Sequence, residues 1–248
     1  MRQLRILVAD NDPAMRKYLR ANLEFSGYET LMAMDGFGVE KVIKLELPDL
    51  IILDTLLPGR DVMEMLRLLR EWSQIPVIIL SSRTDKQHKI QALNLGADDY
   101  ITRPFLLEEF MARVKNILRR TEPVPSVPEP SSFSCGNLEI KFGERRVTVA
   151  DQEIKLTPTE YNLLQELALN AEKVITHTSL LNKVWGPKYE QEREYLRVFV
   201  GRLRKKLEPN PRKPNYIITI PWVGYKLSAT RGNGNGADLE KAVNCQYS

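Results

Sequence analysis

The sequence predicts two domains: an α/β domain with a five-stranded parallel, doubly wound sheet, and then an α+β domain containing a helix-turn-helix. Three observations support this prediction. Short apolar runs alternate with helix-length segments through residues 1–120, which is typical of parallel strands joined by crossover helices. Residues 121–132 hold four prolines, which favour an extended, solvated linker. Residues 133–230 then change to short strands, three helical segments and a terminal hairpin.

The strands of the first domain are predicted from five short apolar runs. The best-bounded of them are apolar on both faces, as a parallel sheet covered by helices requires. The runs read LRILVA, YETLMA, DLIILD, PVIILS and DYIT. Helices are predicted between and after them, at residues 13–25, 36–45, 61–71, 88–95 and 107–119. In such sheets the functional crevice lies at the carboxyl ends of the strands.

The second domain opens with three predicted strands, NLEIKF, RRVTVA and QEIKLT. Helices are predicted at residues 158–170, 177–185 and 190–207, and NYIITIPWVGYKL follows as two strands around a turn. A helix-turn-helix followed by a hairpin predicts a winged helix. Residues 231–248 begin rich in Gly and Asn, so a disordered tail is expected.

Composition restricts the function classes. The apolar runs of this 248-residue chain are strand-sized, so no membrane span and no membrane partner are predicted. Two cysteines, Cys135 and Cys245, make no disulfide framework, which favours the reducing cytoplasm. The net charge is +4, and residues 133–230 hold 16 basic against 11 acidic side chains. This excess indicates an anionic partner for the second domain, although a solvated surface gives the same pattern.

Polar residues follow several predicted strands of the first domain. Asp10 and Asn11 follow the first strand, Asp54 ends the third, Ser81 ends the fourth and Arg103 follows the fifth. Because the carboxyl ends of parallel strands share one edge, these side chains are expected to converge there. Carboxylates with a hydroxyl and a cation suit Mg²⁺ together with a phosphoryl group, with one carboxylate as nucleophile.

Asp12 has a simpler interpretation. Asp followed by Pro13 is typical of a helix N-cap before proline at the first helical position. A single aspartate at a strand end is more often such a cap than a catalyst, so only the convergence of several strand ends indicates a site.

The segment 190–207 combines an apolar stripe with basic residues. The stripe predicts a core-facing side and contains Leu196, Phe199, Val200, Leu203 and Leu207. The opposite side is predicted to contain Glu194, Val198, Gly201, Arg202 and Lys205, flanked by Arg197 and Arg204. A helix of this kind after a short helix ending at Trp185 is predicted to enter the DNA major groove, with arginines reaching phosphates or base edges.

Ordered motifs add a family resemblance over roughly residues 4–228. ILVADNDPAMRKYL, PDLIILDTLLPGRD, PVIILSSR and GADDYITRPF resemble a two-component receiver domain of flavodoxin-like fold. LTPTEYNLL, LLNKVWG, RVFVGRLRKKLE and YIITIPWVGYKL resemble the winged-helix effector of the OmpR/PhoB group. EWSQIPVIILSSR and KIQALNLGADDY look most like the Kdp-type potassium-responsive regulators. The resemblance implies a transcription regulator, not an enzyme.

The resemblance also implies roles for the residues of the first domain. Asp54 would be the phosphoacceptor, and Asp10, position 11, Asp54 and the backbone carbonyl of Leu56 would bind Mg²⁺. Two further positions would form the switch, with Ser81 as its hydroxyl and Tyr100 as its aromatic residue. A sensor histidine kinase would be the phosphoryl source.

Two positions depart from the family pattern. Asn11 replaces an acid, and losing that charge beside a dication is expected to cost about 1–3 kcal/mol. Arg103 replaces a lysine, and its planar fork could pair with Asp54 or Asp10. One hypothesis is that Asp54 is still phosphorylated, with weakened Mg²⁺ dependence and altered lifetime. The other is that Arg103 mimics the occupied state, so that DNA binding is independent of phosphate.

The remaining implied sites concern partners. A homodimer through the receiver would use ion pairs among Lys89, Asp98, Asp99, Glu109, Arg113 and Lys115. Promoter DNA would be contacted by Trp185, Arg202, Arg204 and Tyr225, beside the residues Arg197 and Lys205 that the helix pattern indicates. The wing turn carries Pro221 and Trp222 where the family often has an arginine, so minor-groove readout by the wing is not expected. The loop GPKYEQ resembles the segment that contacts RNA polymerase.

Two other function classes fit parts of the sequence. A signalling adaptor could use the basic half to bind protein or membrane, but the helix-turn-helix spacing favours DNA. A small hydrolase could use Asp54 as in aspartyl-phosphate enzymes, but no substrate pocket beyond the aspartate edge is evident.

Overall fold

The fold is described from a computed structural model, which covers residues 2–121, 131–228 and 246–247. The chain divides into two compact units, Met1–Thr121 and Glu122–Ser248. Within the described residues, none of the helices is both long and apolar enough to cross a membrane.

The first unit is a five-stranded parallel sheet flanked by helices. Its strands are β1 Arg5–Ala9, β2 Glu29–Ala33, β3 Leu50–Asp54, β4 Val77–Ser81 and β5 Asp99–Thr102. Its helices are α1 Pro13–Phe25, α2 Gly36–Glu46, α3 Val62–Trp72, α4 Lys86–Leu95 and α5 Leu107–Thr121. The strand order β2-β1-β3-β4-β5 confirms the predicted doubly wound sheet.

The apolar runs bury both faces of this sheet. Every residue of β3 and of β4 is buried, and on one face Ile52 and Ile78 pack with Leu19 of α1 and Phe110 of α5. Burying side chains of this size contributes about 1.5–3 kcal/mol each. The apolar spacing of the sequence therefore suffices to orient the sheet and its helices.

Aspartates begin four of the five helices in this unit. The N-caps of α1 to α4 are Asp12, Asp35, Asp61 and Asp85, and each side chain accepts a hydrogen bond from a backbone N–H of the first turn. Such caps satisfy donors that have no partner inside the helix. The predicted capping role of Asp12 is confirmed.

The second unit combines two small sheets with three helices. Its strands are β6 Ser132–Cys135, β7 Leu138–Lys141, β8 Arg146–Val149, β9 Gln152–Glu153, β10 Ile175–Thr176, β11 Ile217–Ile220, β12 Gly224–Leu227 and β13 Gln246–Tyr247. Its helices are α6 Pro158–Leu169, α7 His177–Val184 and α8 Arg193–Leu207. The sheet orders are β13-β6-β7-β8-β9 and β10-β12-β11. Helices α7 and α8, followed by the β11–β12 hairpin, form the predicted winged helix.

Differences from the sequence prediction are local. Strand β6 was not predicted, and α8 begins at Arg193 because Pro187–Tyr189 forms a separate 3-10 turn. The predicted linker and tail fall mostly outside the described residues. Gln246 and Tyr247 of the tail pair with β6.

One glycine is required by a close approach inside the second unit. A Cβ atom on Gly224 would lie 1.9 Å from the carbonyl oxygen of Ile175, far inside van der Waals contact. Gly224 pairs with Thr176 in the antiparallel register of β10 and β12. Any side chain at this position would push the hairpin away from β10.

Candidate functional site: an aspartate edge and a DNA-binding helix

The structure brings the predicted polar residues of the first unit to one edge of the sheet. Asp10 follows β1, Asp54 ends β3 and Ser81 ends β4, and all three are buried. Arg103 follows β5, and its side chain is 18% exposed. We call this group the aspartate edge: Asp10, Asp54, Ser81 and Arg103.

Arg103 bridges the two carboxylates of the aspartate edge. Its Nη2 donates to Oδ2 of Asp10, and its Nη1 donates to Oδ2 of Asp54 at 3.3 Å. The sequence predicted a fork to one or the other carboxylate, whereas the guanidinium contacts both. A planar cation with several donors suits this arrangement better than the compact ammonium of lysine.

The remaining carboxylate oxygens accept backbone hydrogen bonds. Oδ1 of Asp10 accepts from the N–H of Asp12 at 2.9 Å, and Oδ1 of Asp54 accepts from the N–H of Leu56 at 3.2 Å. Each oxygen of both carboxylates therefore already has a donor. Asn11 is exposed beside them.

Burial raises the pKa of Asp54 above its ordinary value. The guanidinium of Arg103 and the N–H of Leu56 lower this pKa and offset only part of the effect, while the nearby charge of Asp10 raises it further. Desolvation disfavours the ionised carboxylate. Asp54 is thus a buried carboxylate that shares a single cation with its neighbour.

The donor set of the aspartate edge fits Mg²⁺ only in part. Among the described residues, no group of three or more His, Cys, Asp or Glu side chains could hold a metal ion. The two carboxylates present both contact Arg103, and the third position is the neutral Asn11. Mg²⁺ prefers hard oxygen ligands in octahedral geometry. The two carboxylates are ligands of this type, but Arg103 contacts both of them.

The predicted switch residues lie beside the aspartate edge. Ser81 accepts hydrogen bonds from the hydroxyl of Thr55 at 3.0 Å and from the N–H of Arg83 at 3.1 Å. Tyr100 is buried, and its hydroxyl donates to the carbonyl oxygen of Arg83 at 3.2 Å. Burial raises the pKa of Tyr100, while a hydrogen bond with Ser81 lowers it. These hydrogen bonds therefore keep the side chains of Ser81 and Tyr100 buried inside the first unit.

His88 contacts the switch tyrosine and was missed by the sequence analysis. Its Nδ1 lies 3.0 Å from the hydroxyl of Tyr100, and the two rings meet edge to face with centroids 6.0 Å apart. His88 stands in the first turn of α4. The pair therefore joins the start of α4 to β5. No pattern along the chain indicates it, because the residues are twelve apart and on different elements.

The predicted dimer residues make ion pairs within the chain. Asp98 is fully buried and pairs with Arg70 at 3.0 Å, so it does not face a partner. Arg113 of α5 pairs with Asp99 at 3.0 Å and with Glu109 at 2.7 Å. Two further predicted residues are more accessible: Lys115, which is exposed, and Lys89, which is partly exposed.

Helix α8 exposes fewer of the residues predicted to face DNA than the sequence indicated. Its apolar stripe is buried as predicted, but two residues placed on the opposite side, Val198 and Arg202, are also buried. Arg202 pairs with Glu160 of α6 at 2.8 Å and stacks over Phe199. Arg202 is therefore a core residue, and its predicted DNA contact is not supported.

Trp185 is likewise inside the second unit. It is fully buried and meets the rings of Tyr195 and Phe199 edge to face. Its predicted contact with DNA is not supported, because the ring joins α7 to α8. A tryptophan at the end of a short helix gives no sign, in sequence, of which way it turns.

An exposed basic face remains on α8. Arg197 and Lys205 are exposed, and a Cβ atom on Gly201 would meet nothing within 4 Å. Arg204 donates to the carbonyl oxygen of Ile217, and to the hydroxyl of Thr219 at 2.8 Å. Tyr225 is buried and its ring meets that of His177 edge to face, so its predicted DNA contact is not supported. Burial raises the pKa of Tyr225, and the charges of Arg204 and Arg197 offset part of this effect.

The fold and the two sites define a signal-receiving domain joined to a DNA-binding effector. A family profile described as "Response regulator receiver domain" matches residues 6–115, and one described as "Transcriptional regulatory protein, C terminal" matches residues 151–227. Both profiles match the units in which the sites lie.

Relatives match nearly the whole chain. The KDP operon transcriptional regulatory protein KdpE of Escherichia coli (strain K12) is 40% identical over 225 residues, covering 90% of this chain and 98% of its own. The transcriptional regulatory protein KdpE of Mycobacterium tuberculosis (strain CDC 1551 / Oshkosh) is 38% identical over 224 residues, covering 90% and 99%. A solved mutant of RitR is similar, with a TM-score of 0.71 and 26% identity, covering 90% of this chain and 98% of that one.

The chain belongs to the OmpR/PhoB family of two-component response regulators and is a DNA-binding transcription regulator. Members of this family are transcription factors rather than enzymes, and their receiver domains typically use Mg²⁺ for phosphorylation. Membership implies a cognate sensor kinase.

Proposed function

We propose that this chain is a response regulator whose phosphoacceptor, Asp54, is controlled by competition between Arg103 and Mg²⁺. The observation that carries the proposal is the guanidinium that contacts Asp10 and Asp54 together. Phosphorylation requires Arg103 to leave Oδ2 of Asp54. This oxygen would then attack the phosphorus of the donor, and the donor's leaving group (acetate in the case of acetyl phosphate) would depart with the electrons of the broken P–O bond. Mg²⁺ held by these residues would neutralise charge on the phosphoryl group.

The residues around Asp54 then have separate roles. Asp10, Asn11, Asp54 and the carbonyl of Leu56 would hold the ion, with Asn11 weakening its affinity about ten- to hundredfold relative to an acid. Ser81 and Tyr100 would respond to the phosphoryl group, since they already share hydrogen bonds beside the aspartate edge.

Incubation of the full chain with acetyl phosphate across a Mg²⁺ series tests this proposal. Phosphorylation is read as a mobility shift on a phosphate-binding gel, with Asp54→Ala as the control that abolishes it. We expect slow phosphorylation with a shallow Mg²⁺ dependence, and a steeper dependence in Arg103→Lys. No shift at any Mg²⁺ concentration, together with a shift in Arg103→Lys, would overturn the proposal for the native chain.

A second candidate is favoured by the position of Tyr100. This residue is buried and bonded to Arg83 and His88, while Arg103 contacts both carboxylates of the aspartate edge. In this alternative Arg103 mimics the occupied state, so DNA binding is independent of phosphate. Equal DNA affinities for the wild type with and without beryllofluoride and Mg²⁺ would support it, whereas a rise with beryllofluoride would support the first proposal.

The DNA contacts that we propose lie on the exposed face of α8. They are Arg197, Arg204 and Lys205. Arginine and lysine on a helix of this kind reach phosphates and base edges in the major groove. Arg197→Ala is expected to weaken DNA binding and to reduce its salt dependence by about one ion. An unchanged salt slope would remove Arg197 from the contact set.

Partner proposals follow from the same surfaces. A receiver homodimer would exchange the internal pairs of Arg113 for pairs across a twofold axis, using Asp99, Glu109, Lys89 and Lys115. Arg113→Glu should reverse this charge and abolish dimerisation, which sedimentation would show.

The loop at residues 186–191 would contact RNA polymerase, and the chain would act in the cytoplasm at promoter DNA.

A further inference from the structure

A cleft lies between α2 and α3 in the first unit. Its volume is about 60 Å³, several times the space that a single buried water needs. Its lining residues are Val39, Glu40, Ile43, Arg60, Met65, Leu68, Leu69 and Trp72. Only Glu40 and Arg60 among these are charged, and none of the four residues of the aspartate edge lines the cleft. The cleft is therefore a separate and mainly apolar feature of this unit.

The apolar lining follows the length of the two helices. Val39 and Ile43 of α2 and Met65 and Leu69 of α3 are buried, whereas Trp72, the last residue of α3, is 47% exposed. Met65 and Trp72 are separated by about 10 Å along the helix axis, at the usual rise per residue. A lining of this shape suits a linear apolar chain better than a compact group.

The charged residues lie at the end of the cleft opposite Trp72. Glu40 is near the start of α2 and Arg60 precedes α3, and both helices begin at the carboxyl edge of the parallel sheet. Nη1 of Arg60 lies 3.1 Å from Oε2 of Glu40, and Nζ of Lys44 lies 2.7 Å from Oε1. Two cations thus share one carboxylate, and the excess positive charge favours an anion at this end.

The guanidinium of Arg60 is positioned by an aromatic ring. It lies over the ring of Phe37, 5.0 Å from the centroid, in a cation–π contact. A Cβ atom on Gly59 would lie 3.1 Å from the same ring, and the φ of Gly59 is +90°, so the ring packs directly against the backbone before Arg60. A guanidinium has five N–H donors, and the pair with Glu40 involves one nitrogen. Arg60 can therefore contact a second carboxylate without leaving Glu40.

We infer that this cleft binds a linear carboxylate of medium chain length, with the carboxylate on Arg60 and the alkyl chain running between α2 and α3 toward Trp72. The carboxylate gains charge-assisted hydrogen bonds, and each methylene removed from water adds to the affinity. The site takes no part in the proposed chemistry of Asp54, so it stands or falls separately from that proposal.

Titration of the full chain with sodium octanoate, below the concentration at which it forms micelles, tests this inference. Calorimetry measures binding, and tryptophan emission should change in the wild type and stay constant in Trp72→Phe. From hexanoate through octanoate to decanoate, affinity should rise about fourfold for each added methylene. The neutral analogue octanol should bind about tenfold more weakly than octanoate.

Two arginine variants complete the experiment. Arg60→Gln should weaken octanoate binding about tenfold and leave octanol binding unchanged, which also shows that the cleft is intact. Arg67→Gln is the matched control, because Arg67 is an exposed residue of α3 that pairs with Glu64 and Glu71, and it should bind octanoate as the wild type does.

Three results would overturn the inference. The first is no binding of octanoate to the wild type, and the second is an equal loss in Arg60→Gln and Arg67→Gln. The third is a dimer, detected by sedimentation, that Arg60→Gln dissociates and octanoate does not, because a second copy of the chain would then occupy the cleft.

Discussion

Two buried carboxylates of this protein, Asp54 and Glu160, face arginines in different ways. Asp54 shares the single cation Arg103 with a second carboxylate, and burial raises its pKa. Burial also acts to raise the pKa of Glu160, but Arg202 and Lys206 outweigh it and the pKa is lowered. Glu160 additionally accepts the N–H of Thr157 as part of a capping box.

The difference between the two clusters lies in the number of cations for each carboxylate. Glu160 pairs with two cations, Arg202 and Lys206. The cluster therefore holds α6 against α8 and has a structural role. One cation serves Asp10 and Asp54, so the aspartate edge retains negative charge that a further cation or a phosphoryl donor with its metal can use. The same residue types thus give a core in one unit and a candidate reactive site in the other.

The largest expected effect comes from breaking the structural cluster. Glu160→Leu leaves Arg202 buried without its carboxylate, and removing one partner of a buried pair typically costs about 3–5 kcal/mol. Urea unfolding measures the loss, followed by tryptophan fluorescence in a Trp72→Phe background, in which the remaining tryptophans both lie in the second unit. Glu166→Ala, which removes a pair with Lys183 that is partly exposed, should cost less than about 1 kcal/mol. Equal losses in the two variants would contradict the comparison.

The second effect concerns the charge of the aspartate edge. Asn11→Asp adds a carboxylate beside Asp10 and Asp54, and we expect Mg²⁺ affinity to rise about ten- to hundredfold. Calorimetric titration of the full chain with Mg²⁺ measures it, with Asp12→Asn as the matched control because Asp12 caps α1. Unchanged affinity in Asn11→Asp would mean that Arg103 alone sets metal binding.

A third expected effect is that Asp54 and Glu160 make the free energy of unfolding change with pH in opposite directions. Because the pKa of Asp54 is raised in the folded state, its neutral form stabilises the fold below the unfolded pKa of about 4. That contribution is lost as pH rises through the folded pKa. Asp54→Asn should therefore raise the free energy of unfolding at neutral pH and leave it nearly unchanged in acid. Glu160, with a lowered pKa, should instead lose stability as pH falls.

Thermal unfolding of wild type and Asp54→Asn across a pH series measures this third effect. A constant difference at all pH values would show that the two side chains differ by packing or hydrogen bonding instead of by ionisation. A smaller stability in Asp54→Asn at neutral pH would show that Arg103 more than compensates for the burial of Asp54.

The smallest expected effect is at His88. His88→Leu removes one hydrogen bond to Tyr100, worth about 0.5–1.5 kcal/mol, whereas asparagine can present a nitrogen near the place of Nδ1. Amide hydrogen exchange in α4 should therefore be faster in His88→Leu and near the wild-type rate in His88→Asn. In a Tyr100→Phe background the two variants should exchange alike. Equal exchange in all variants would make the contact incidental.

The helices and strands and the aspartate edge were predictable from the sequence, since the elements that create them follow from local patterns. Apolar runs orient parallel strands, and polar residues at strand ends must meet at one edge, as Asp10, Asp54 and Ser81 do. The cap at Asp12 is equally local. Such features depend on neighbours within a few positions, so the sequence contains the necessary information.

Contacts between distant elements were not predictable in the same way. The helical pattern placed Arg202 on the side opposite the core, but its side chain is buried because it pairs with Glu160 of α6, which lies 42 positions away in the sequence. Arg70 likewise pairs with Asp98, which lies 28 positions away. The apolar period of a helix predicts its main buried side and cannot show that a second element covers another side.

Arg103 is covalently part of the chain, and this has a consequence for the conditions under which the regulator works. A dissolved ion occupies a site according to its concentration, whereas a tethered group has a fixed effective concentration that dilution cannot change. On the proposed competition, Mg²⁺ at the aspartate edge would therefore face a constant opposing concentration of guanidinium. The Mg²⁺ concentration at which the two exchange would be set by the chain itself and not by how much protein the cell contains.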